Sequence, residues 1–317
     1  MPNNSLLDML KYKRPSDSWS EKEFCEVYLK PVFGEPDEHG NYIKIIYEKA
    51  HRGFVQPQVC FTAHYDTVHS VAGKQQLHLT GDIVSAVNSD CLGADCTTGV
   101  WLILGMIEAD VPGVYVVHYG EESGCIGSRA LVKDRPDWLE YTKAVISFDR
   151  KGEESIITHQ MGVRTASDDF AVSLSKALGM SSLRPDPTGS YTDSNEYSSI
   201  ISECTNLSVG YLNQHTPKES QNVFFAYQLL DALINADWSE LVFKRDPQEH
   251  EIDYSYGWGY SKKEKKVMTN VSQLEDLIMD FPEELARVLD DWGCDAEYLY
   301  SQISALQYED QYYRRVG

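Results

Sequence analysis

Five groups of polar residues, each directly after a short apolar run or in the loop that follows one, constrain this sequence most strongly. The apolar runs, such as Val59–Thr62, Val114–Val117 and Ala144–Phe148, have the composition of buried strands. In an open α/β sheet, ligands bind beyond the carboxyl ends of the strands, so we expect the groups to converge on one site. The groups are Ala63-His64-Tyr65-Asp66, Gly93-Ala94-Asp95, Gly120-Glu121-Glu122, Phe148-Asp149 and Gln214-His215-Thr216.

These groups contain two imidazoles and five carboxylates. Two imidazoles with three or four of the carboxylates form the donor set that two neighbouring divalent ions require. Neutral imidazole and carboxylate suit Zn²⁺, and a bridging carboxylate offsets the repulsion between two dications. None of the groups is rich in cysteine, which argues against structural zinc of the finger type. We therefore predict two Zn²⁺ ions, with Co²⁺ or Mn²⁺ as alternatives.

The composition excludes several classes of function. A net charge of −21 argues against nucleic acid or an anionic membrane as a partner. The sequence has no apolar run of the roughly 18–20 residues that a membrane span needs, and residues 1–13 lack the apolar core of a signal peptide. Seven scattered cysteines without a Cys-x-x-Cys pair favour reduced thiols and a cytoplasmic location.

Alternation of strand-like and helix-like segments predicts a three-layer α/β/α domain with a central mixed, largely parallel sheet. Ser20 and Glu23 resemble a capping box that begins a helix, and Thr97-Thr98 can begin another directly after Asp95. The amphipathic pattern of residues 168–178, followed by Gly179, predicts a further helix with a glycine at its end.

The character of the sequence changes near residue 240, so we predict a catalytic domain over residues 1–240 and a separate region over 241–317. That region begins with an aromatic and basic linker, and residues 271–310 contain eleven acidic residues with Arg287 as their only basic one. Apolar residues at helical spacing there predict a small acidic helical appendage. A solvated face is the simplest explanation of its charge, and binding of a protein partner or self-association is the alternative.

The five groups, in this order, resemble the pattern of the co-catalytic dizinc exopeptidases, the superfamily of zinc aminopeptidases and carboxypeptidases. The turn Asp37-Glu38-His39-Gly40-Asn41 and the loop Gly210–Glu219, with its Gly-Tyr and His-Thr-Pro, extend the resemblance from about residue 37 to about 235. The resemblance implies that His64 and Asp149 hold one ion, that Glu122 and His215 hold the second, and that Asp95 bridges the two.

The resemblance also assigns two residues that assist the metal site. Asp66 lies two positions after His64 on an extended segment, so it can accept the second imidazole N–H and fix the tautomer. Glu121 is the predicted general base, which takes a proton from the metal-bridging water and passes it to the leaving amine. Ser123 and Cys125 lie nearby, but no candidate histidine base is adjacent to either in sequence, although one could approach in space.

Cys96 departs from the superfamily pattern, which has Asp, Asn or a similar polar residue after the bridging aspartate. In relatives the peptide bond at this position is commonly cis. The thiol of Cys96 is therefore either a small buried neighbour that preserves this geometry or, less in keeping with the pattern, a metal ligand.

The spacings agree best with the single-domain aminopeptidases of the superfamily, because neither the 31 residues from His64 to Asp95 nor the 66 from Asp149 to His215 can hold a further domain. We predict an aminopeptidase acting on small peptides. The alternatives are a carboxypeptidase, a deacylase or other amide hydrolase, a single-zinc cyclotransferase, and a catalytically idle binding module. Asp193 and Glu196 are candidates to bind a substrate ammonium group, whereas Arg150 and Arg164 would instead suit a substrate carboxylate.

Overall fold

A seven-stranded mixed sheet organises the part of the chain that the computed structural model describes, residues 5–50 and 53–248. In chain order the strands are β1 (Tyr12–Lys13), β2 (Tyr42–Ile46), β3 (Glu48–Ala50), β4 (Gly53–Val55), β5 (Val59–His64), β6 (Gly73–Lys74), β7 (Gln76–Thr80), β8 (Ile83–Val87), β9 (Gly113–His118), β10 (Ala144–Arg150), β11 (Ser155–Ile157), β12 (His159–Gln160), β13 (Val163–Arg164), β14 (Arg184–Asp186), β15 (Glu203–Ser208), β16 (Tyr211–Leu212) and β17 (Ser220–Asn222).

The main sheet has the strand order β14-β11-β15-β10-β5-β9-β2. Its four central strands, β15, β10, β5 and β9, run parallel to one another. Strand β2 at one side pairs antiparallel with β9, and β11 at the other pairs antiparallel with β15. The predicted mixed, largely parallel sheet is therefore confirmed.

Alternating side chains of the central strands pack into two separate cores, as the twofold period of a strand requires. Phe61 of β5 and Tyr115 of β9 belong to the larger core, whereas their neighbours Cys60 and Val114 belong to the smaller one. Both faces of the sheet are thus buried, which explains why these strands appear in the sequence as continuous apolar runs.

Helices cover both faces, which completes the three layers. Trp101 of α4, Phe170 of α6 and Leu229 of α8 pack in the larger core, whereas Leu131 of α5 and Trp138 of a 3₁₀ helix pack in the smaller one. The α-helices are α1 (Leu6–Met9), α2 (Trp19–Phe24), α3 (Lys30–Phe33), α4 (Ala94–Glu108), α5 (Ile126–Asp134), α6 (Asp168–Leu178), α7 (Asp193–Glu196) and α8 (Val223–Asn235); a π-helical turn (Cys25–Leu29) joins α2 to α3, and 3₁₀ helices span Asp137–Tyr141 and Trp238–Glu240.

Helix α6 begins and ends where the sequence predicts, whereas α2 does not. Helix α6 has the predicted bounds, with Gly179 in the left-handed conformation that ends it. The predicted capping box at Ser20 is wrong, because Ser18 caps α2 by accepting from the Glu21 N–H. Ser20 instead donates its hydroxyl to the Lys13 carbonyl and accepts from the Gly73 N–H, so tertiary contacts occupy it.

A second, four-stranded antiparallel sheet with the order β16-β17-β8-β7 lies next to the last loop of the domain. Strand β17 pairs with β8, which fixes the segment that follows His215 against residues 83–85. The sequence analysis does not predict this sheet, because its strands are only two to five residues long and β7 is mostly exposed.

Residues 249–317, which include most of the predicted linker and acidic appendage, lie outside the described residues. The described segment that leads to them is attached to the catalytic domain, because Val242 N–H donates to Ser173 Oγ and the N–H groups of Lys244 and Arg245 donate to Glu203. The boundary at residue 240 stays a prediction. Across residues 5–50 and 53–248, no helix is long and apolar enough to cross a membrane.

Glu21 is a buried carboxyl group whose ionisation opposes folding. Burial, together with the charge of Asp66, raises the pKa of Glu21 to about 8. The unfolded chain releases the Glu21 proton near pH 4–5, whereas the folded state retains it. The stability that the protonated carboxyl group contributes is therefore fully present at low pH and is lost as the pH rises through about 8.

We expect Glu21→Gln to match the parent in stability near pH 5 and to exceed it near pH 8.5. Urea unfolding of the metal-free protein at both pH values measures this, and equal pH slopes for parent and variant would contradict it.

The contacts of residues 242–245 define where the chain can be shortened. Truncation after Asp246 retains these contacts, so the shortened protein should fold and bind zinc. Truncation after Glu240 removes the residues that donate to Glu203, leaves a buried carboxylate with two fewer donors, and should lower stability. Thermal unfolding and metal analysis of the two truncated proteins check this. A protein ending at Asp246 that neither folds nor binds zinc would show that the remaining residues are part of the core.

Candidate metal centre and active site

The predicted site residues meet where the parallel strands of the main sheet end. His64 is the last residue of β5, Glu121 and Glu122 follow β9, and Asp149 is the second-last residue of β10. Asp95 lies at the start of α4, where its backbone is not yet helical, and the peptide bond between Asp95 and Cys96 is cis. His215 lies in the loop between β16 and β17.

One group of donor atoms surrounds the Nε2 atom of His64. This nitrogen lies 3.1 Å from Asp95 Oδ1, 3.6 Å from Asp149 Oδ1 and 3.9 Å from Glu121 Oε2. A second group surrounds Nε2 of His215, which lies 3.2 Å from Asp95 Oδ2 and 3.0 Å from Glu122 Oε1. The two oxygens of Asp95 therefore face different imidazoles.

The spacing of these atoms fits metal ligands. Nitrogen and oxygen atoms bound to one tetrahedral zinc ion at about 2.0–2.1 Å lie roughly 3.3 Å apart, which is close to the separations around both imidazoles. Glu122 Oε1 is buried and lies 3.0 Å from His215, but it has no hydrogen-bond partner among residues 5–50 and 53–248. A buried carboxylate oxygen requires a partner, and a cation suits it.

The pKa values of the site show how strongly its carboxylates oppose one another. Burial raises the pKa of Glu122 to about 7 and that of Asp149 to about 6, and the charge of Asp95 adds to both effects. The carboxylates of Asp95 and Glu122, at 3.2 and 3.0 Å from its Nε2 atom, raise the pKa of His215 to about 11. The protein thus collects more negative charge than its two imidazoles balance, which favours bound cations.

Asp66 connects three parts of the site. Its carboxylate lies 3.3 Å from His64 Nδ1 and accepts hydrogen bonds from the backbone N–H groups of Glu121 and Glu122, each at 3.2 Å. Ser16, near the start of the chain, donates its hydroxyl to the same carboxylate. Asp66 therefore orients the imidazole and both glutamates at once, whereas the sequence predicted only its contact with His64.

Glu121 and Glu122 point in different directions, although they are neighbours in sequence. Glu122 approaches His215, whereas Glu121 lines a cleft of about 90 Å³ beside Asp95 and Asp149. The weak donor Cys125 Sγ lies 3.8 Å from Glu121 Oε1. Burial raises the pKa of Glu121 well above its usual range, and the charges of Asp149 and Asp193 add to this.

Asp149 is held by side chains that sequence reasoning did not assign to it. Thr192 donates its hydroxyl to Asp149 Oδ2 at 2.7 Å. The hydroxyl of Tyr211 lies 2.8 Å from the Asp149 carbonyl and 3.2 Å from its Oδ1 atom. Tyr211 is fully buried, so it is both a core aromatic residue and a polar contact of the site.

Cys96 has a structural contact beside the site. Its thiol donates to the Phe148 carbonyl at a distance of 3.0 Å, and burial raises the pKa of the thiol well above its usual range. A buried neutral thiol is a poor metal ligand, since metals bind the thiolate. These contacts favour a packing role for Cys96, although its sulfur lies within 4.8 Å of donor atoms of His64 and Asp149.

Glu219 is a buried residue of the site that the sequence analysis missed. Its two carboxylate oxygens accept four hydrogen bonds from the consecutive N–H groups of residues 92–95, at 2.8–3.1 Å. No sequence signal joins this glutamate to a loop 124–127 positions earlier in the chain. In the sequence, its position four residues after His215, in the loop Gly210–Glu219, is the signal that Glu219 could lie near the site.

The residues considered for substrate recognition have different surroundings. Asp193 is buried and accepts a hydrogen bond from Ser128, while Glu196 pairs with Arg129 and Tyr191. Arg164 pairs with Asp168. Arg150 and Lys151 line the cleft, and Arg150 also contacts Asp186.

Comparison with known proteins agrees with this geometry. Residues 41–196 match Peptidase family M28. No curated protein sequence matches the chain.

Three solved structures illustrate the similarity of fold. Aminopeptidase PepT from Bacillus cereus is 16% identical with a TM-score of 0.58, over 73% of this chain and 96% of its own. A tripeptidase from Staphylococcus aureus is 14% identical with a TM-score of 0.60, over 73% and 95%. TET1 peptidase from Pyrococcus horikoshii is 14% identical with a TM-score of 0.57, over 74% and 100%.

The family match covers the segment that contributes six of the seven predicted site residues, and the fold agrees with that of the peptidases. Residues 41–196 are therefore similar to Peptidase family M28, and the described domain has the fold of these peptidases, which supports a metallo-exopeptidase of the co-catalytic dizinc superfamily.

Proposed function

We propose that this zinc peptidase binds two zinc ions and removes amino-terminal residues from small peptides. The observation that carries the proposal is the carboxylate of Asp95, whose two oxygens face His64 and His215 at 3.1 and 3.2 Å. A single carboxylate between two imidazoles suits a pair of ions that share one ligand.

In this proposal His64 and Asp149 hold one ion, Glu122 and His215 hold the other, and Asp95 contacts both. The distances around each imidazole support the division, because Asp149 lies near His64 and Glu122 lies near His215. When bound, such a pair of ions would lower the pKa of water and polarise the carbonyl group of the substrate.

Glu121 is the proposed general base. Its carboxylate lines the cleft, and among the described residues its hydrogen-bond donor is the weak thiol of Cys125, so it is available to accept a proton from the attacking water. After attack on the substrate carbonyl, the same group would return the proton to the leaving amine.

Terminal specificity depends on the charged residues that line the cleft. Carboxylates of Asp95, Glu121 and Asp149 line the cleft and suit a substrate with a free ammonium group. Asp193 and Glu196, the acids first considered for this role, are engaged with Ser128 and Arg129. One observation favours carboxy-terminal recognition as a second candidate: Arg150 and Lys151 also line the cleft and suit a substrate carboxylate.

The first test separates the roles of the two adjacent glutamates. We expect the parent to bind two equivalents of zinc and Glu121→Gln to retain both, with kcat lowered ~10²–10⁴-fold by loss of the base. Glu122→Gln should bind fewer than two equivalents, because it removes a ligand. Metal analysis of dialysed protein and steady-state kinetics measure these effects. The reverse pattern would exchange the two roles, and a parent that binds less than one equivalent would contradict the metal site itself.

The second test concerns the terminus that the enzyme recognises. A free tripeptide, its N-acetylated form and its C-amidated form have the same sequence and differ only in terminal charge. An aminopeptidase should cleave the free and C-amidated peptides and should lose most of its kcat/KM on the N-acetylated one. Mass spectrometry of the products identifies the bond that is cut. Cleavage of the N-acetylated peptide together with no cleavage of the C-amidated one would favour the second candidate.

A further inference from the structure

The carboxylate of Glu219 lies at a junction between two loops of the site. One loop, residues 92–95, ends at Asp95, and the other extends from His215 to Glu219 itself. Oε2 accepts from the N–H groups of Leu92 and Gly93, and Oε1 accepts from those of Ala94 and Asp95. Both oxygens are thus fully engaged with backbone donors, and neither is free to bind a metal ion.

Burying the carboxylate of Glu219 costs free energy unless hydrogen bonds compensate for its lost hydration. The residue is only 1% exposed, in a site that already concentrates carboxylates. A neutral amide offers one acceptor oxygen, whereas four N–H groups at the start of α4 require two. A carboxylate is therefore the side chain that satisfies all four donors at once, and charge-assisted hydrogen bonds are the stronger kind.

Backbone contacts around Glu219 make the junction rigid. The Glu219 N–H donates to the Thr216 carbonyl, and the next residue begins β17, which pairs with β8. On the other side, Gly93 has a φ of +70°, and a Cβ atom there would lie 2.8 Å from His69. Each loop therefore has close contacts of its own besides those that Glu219 makes between them.

We propose that Glu219 is a positioning residue that fixes the carboxylate of Asp95 relative to the imidazole of His215. Since the Asp95 N–H is one of the four donors, the hydrogen bonds hold the residue proposed to contact both ions. His215 lies four positions before Glu219, so the same side chain sets the separation of the two groups. This inference rests on the proposed two-zinc site and explains how that site keeps its geometry.

The chain contains a matched control for this proposal. Glu203 is also fully buried and also accepts four hydrogen bonds, three of them from backbone N–H groups, of Ser167, Lys244 and Arg245. It lies at the amino end of β15, whereas the site lies at the carboxyl ends of the strands. Replacing either glutamate with glutamine thus removes a similar buried carboxylate, but only Glu219 contacts the site.

The experiment compares the full-length parent with Glu219→Gln and Glu203→Gln. Zinc affinity is measured by competition with a chromophoric chelator, Co²⁺ absorption spectra report ligand geometry, and urea unfolding of the metal-free proteins reports stability. We expect both variants to lose stability, but only Glu219→Gln to raise the zinc Kd, by ~10–100-fold, and to alter the Co²⁺ spectrum. Parent-like zinc affinity and spectrum in Glu219→Gln would overturn the proposal and leave Glu219 a purely structural residue.

A second variant keeps the test decisive if Glu219→Gln does not fold. Glu219→Asp retains the charge but is one methylene shorter, so it cannot reach all four donors without moving a loop. A tenfold or greater loss of zinc affinity in folded Glu219→Asp supports the proposal, and parent-like affinity overturns it. Failure of the parent itself to bind zinc would instead contradict the proposed function, so the two failures can be told apart.

Discussion

The concentration of negative charge at the carboxyl ends of four parallel strands is the constraint on which the rest of the site depends. Asp66, Asp95, Glu121, Glu122 and Asp149 meet there with two imidazoles, and burial raises the pKa of three of these carboxyl groups. Without cations, burial and mutual repulsion favour the protonated forms of Glu121, Glu122 and Asp149 more than in water. The site is therefore built for positive charge, and the zinc expected of the superfamily supplies it.

Three of the acidic residues of this cluster, Asp66, Asp95 and Asp149, are held by contacts from distant parts of the chain. Ser16 reaches Asp66 from the amino-terminal segment, Thr192 and Tyr211 reach Asp149, and Glu219 reaches the loop of Asp95. These contacts limit the motion of donor groups that repel one another. Such supporting residues commonly change metal affinity by ~10–100-fold when they are altered.

The residues around the cleft, rather than the fold, would select the substrate. Its lining combines the acids Asp95, Glu121 and Asp149 with the bases Arg150 and Lys151. Arg150 lies 3.3 Å from Asp186, which partly neutralises its charge. The balance between amino- and carboxy-terminal recognition therefore depends on how strongly the remaining positive charge attracts a substrate carboxylate. The proposed metal ligands do not distinguish the two, because both kinds of exopeptidase need the same polarised carbonyl.

The sequence alone determined the fold class and the set of groups that meet at the site. Runs such as Ala144–Phe148 are buried on both faces of the sheet, so they appear as continuous apolar segments, and the residue after each run must lie at the edge of the sheet. That local rule led to His64, Glu121 and Asp149 without knowledge of the three-dimensional structure. Helix α6 was equally predictable, because its pattern and its terminal glycine are local.

Only the tertiary structure decided which side chains support the site, because those contacts join residues far apart in sequence. Glu219 bonds a loop more than 120 positions earlier, and no periodicity or spacing encodes such a contact. Ser20 does not cap a helix, because its hydroxyl is bonded to Lys13 and Gly73. Asp193 is buried and accepts a hydrogen bond from Ser128, which the sequence does not reveal. Local sequence patterns determine which helices and strands form. The hydrogen-bond partner of a polar side chain depends instead on how those helices, strands and loops pack against one another.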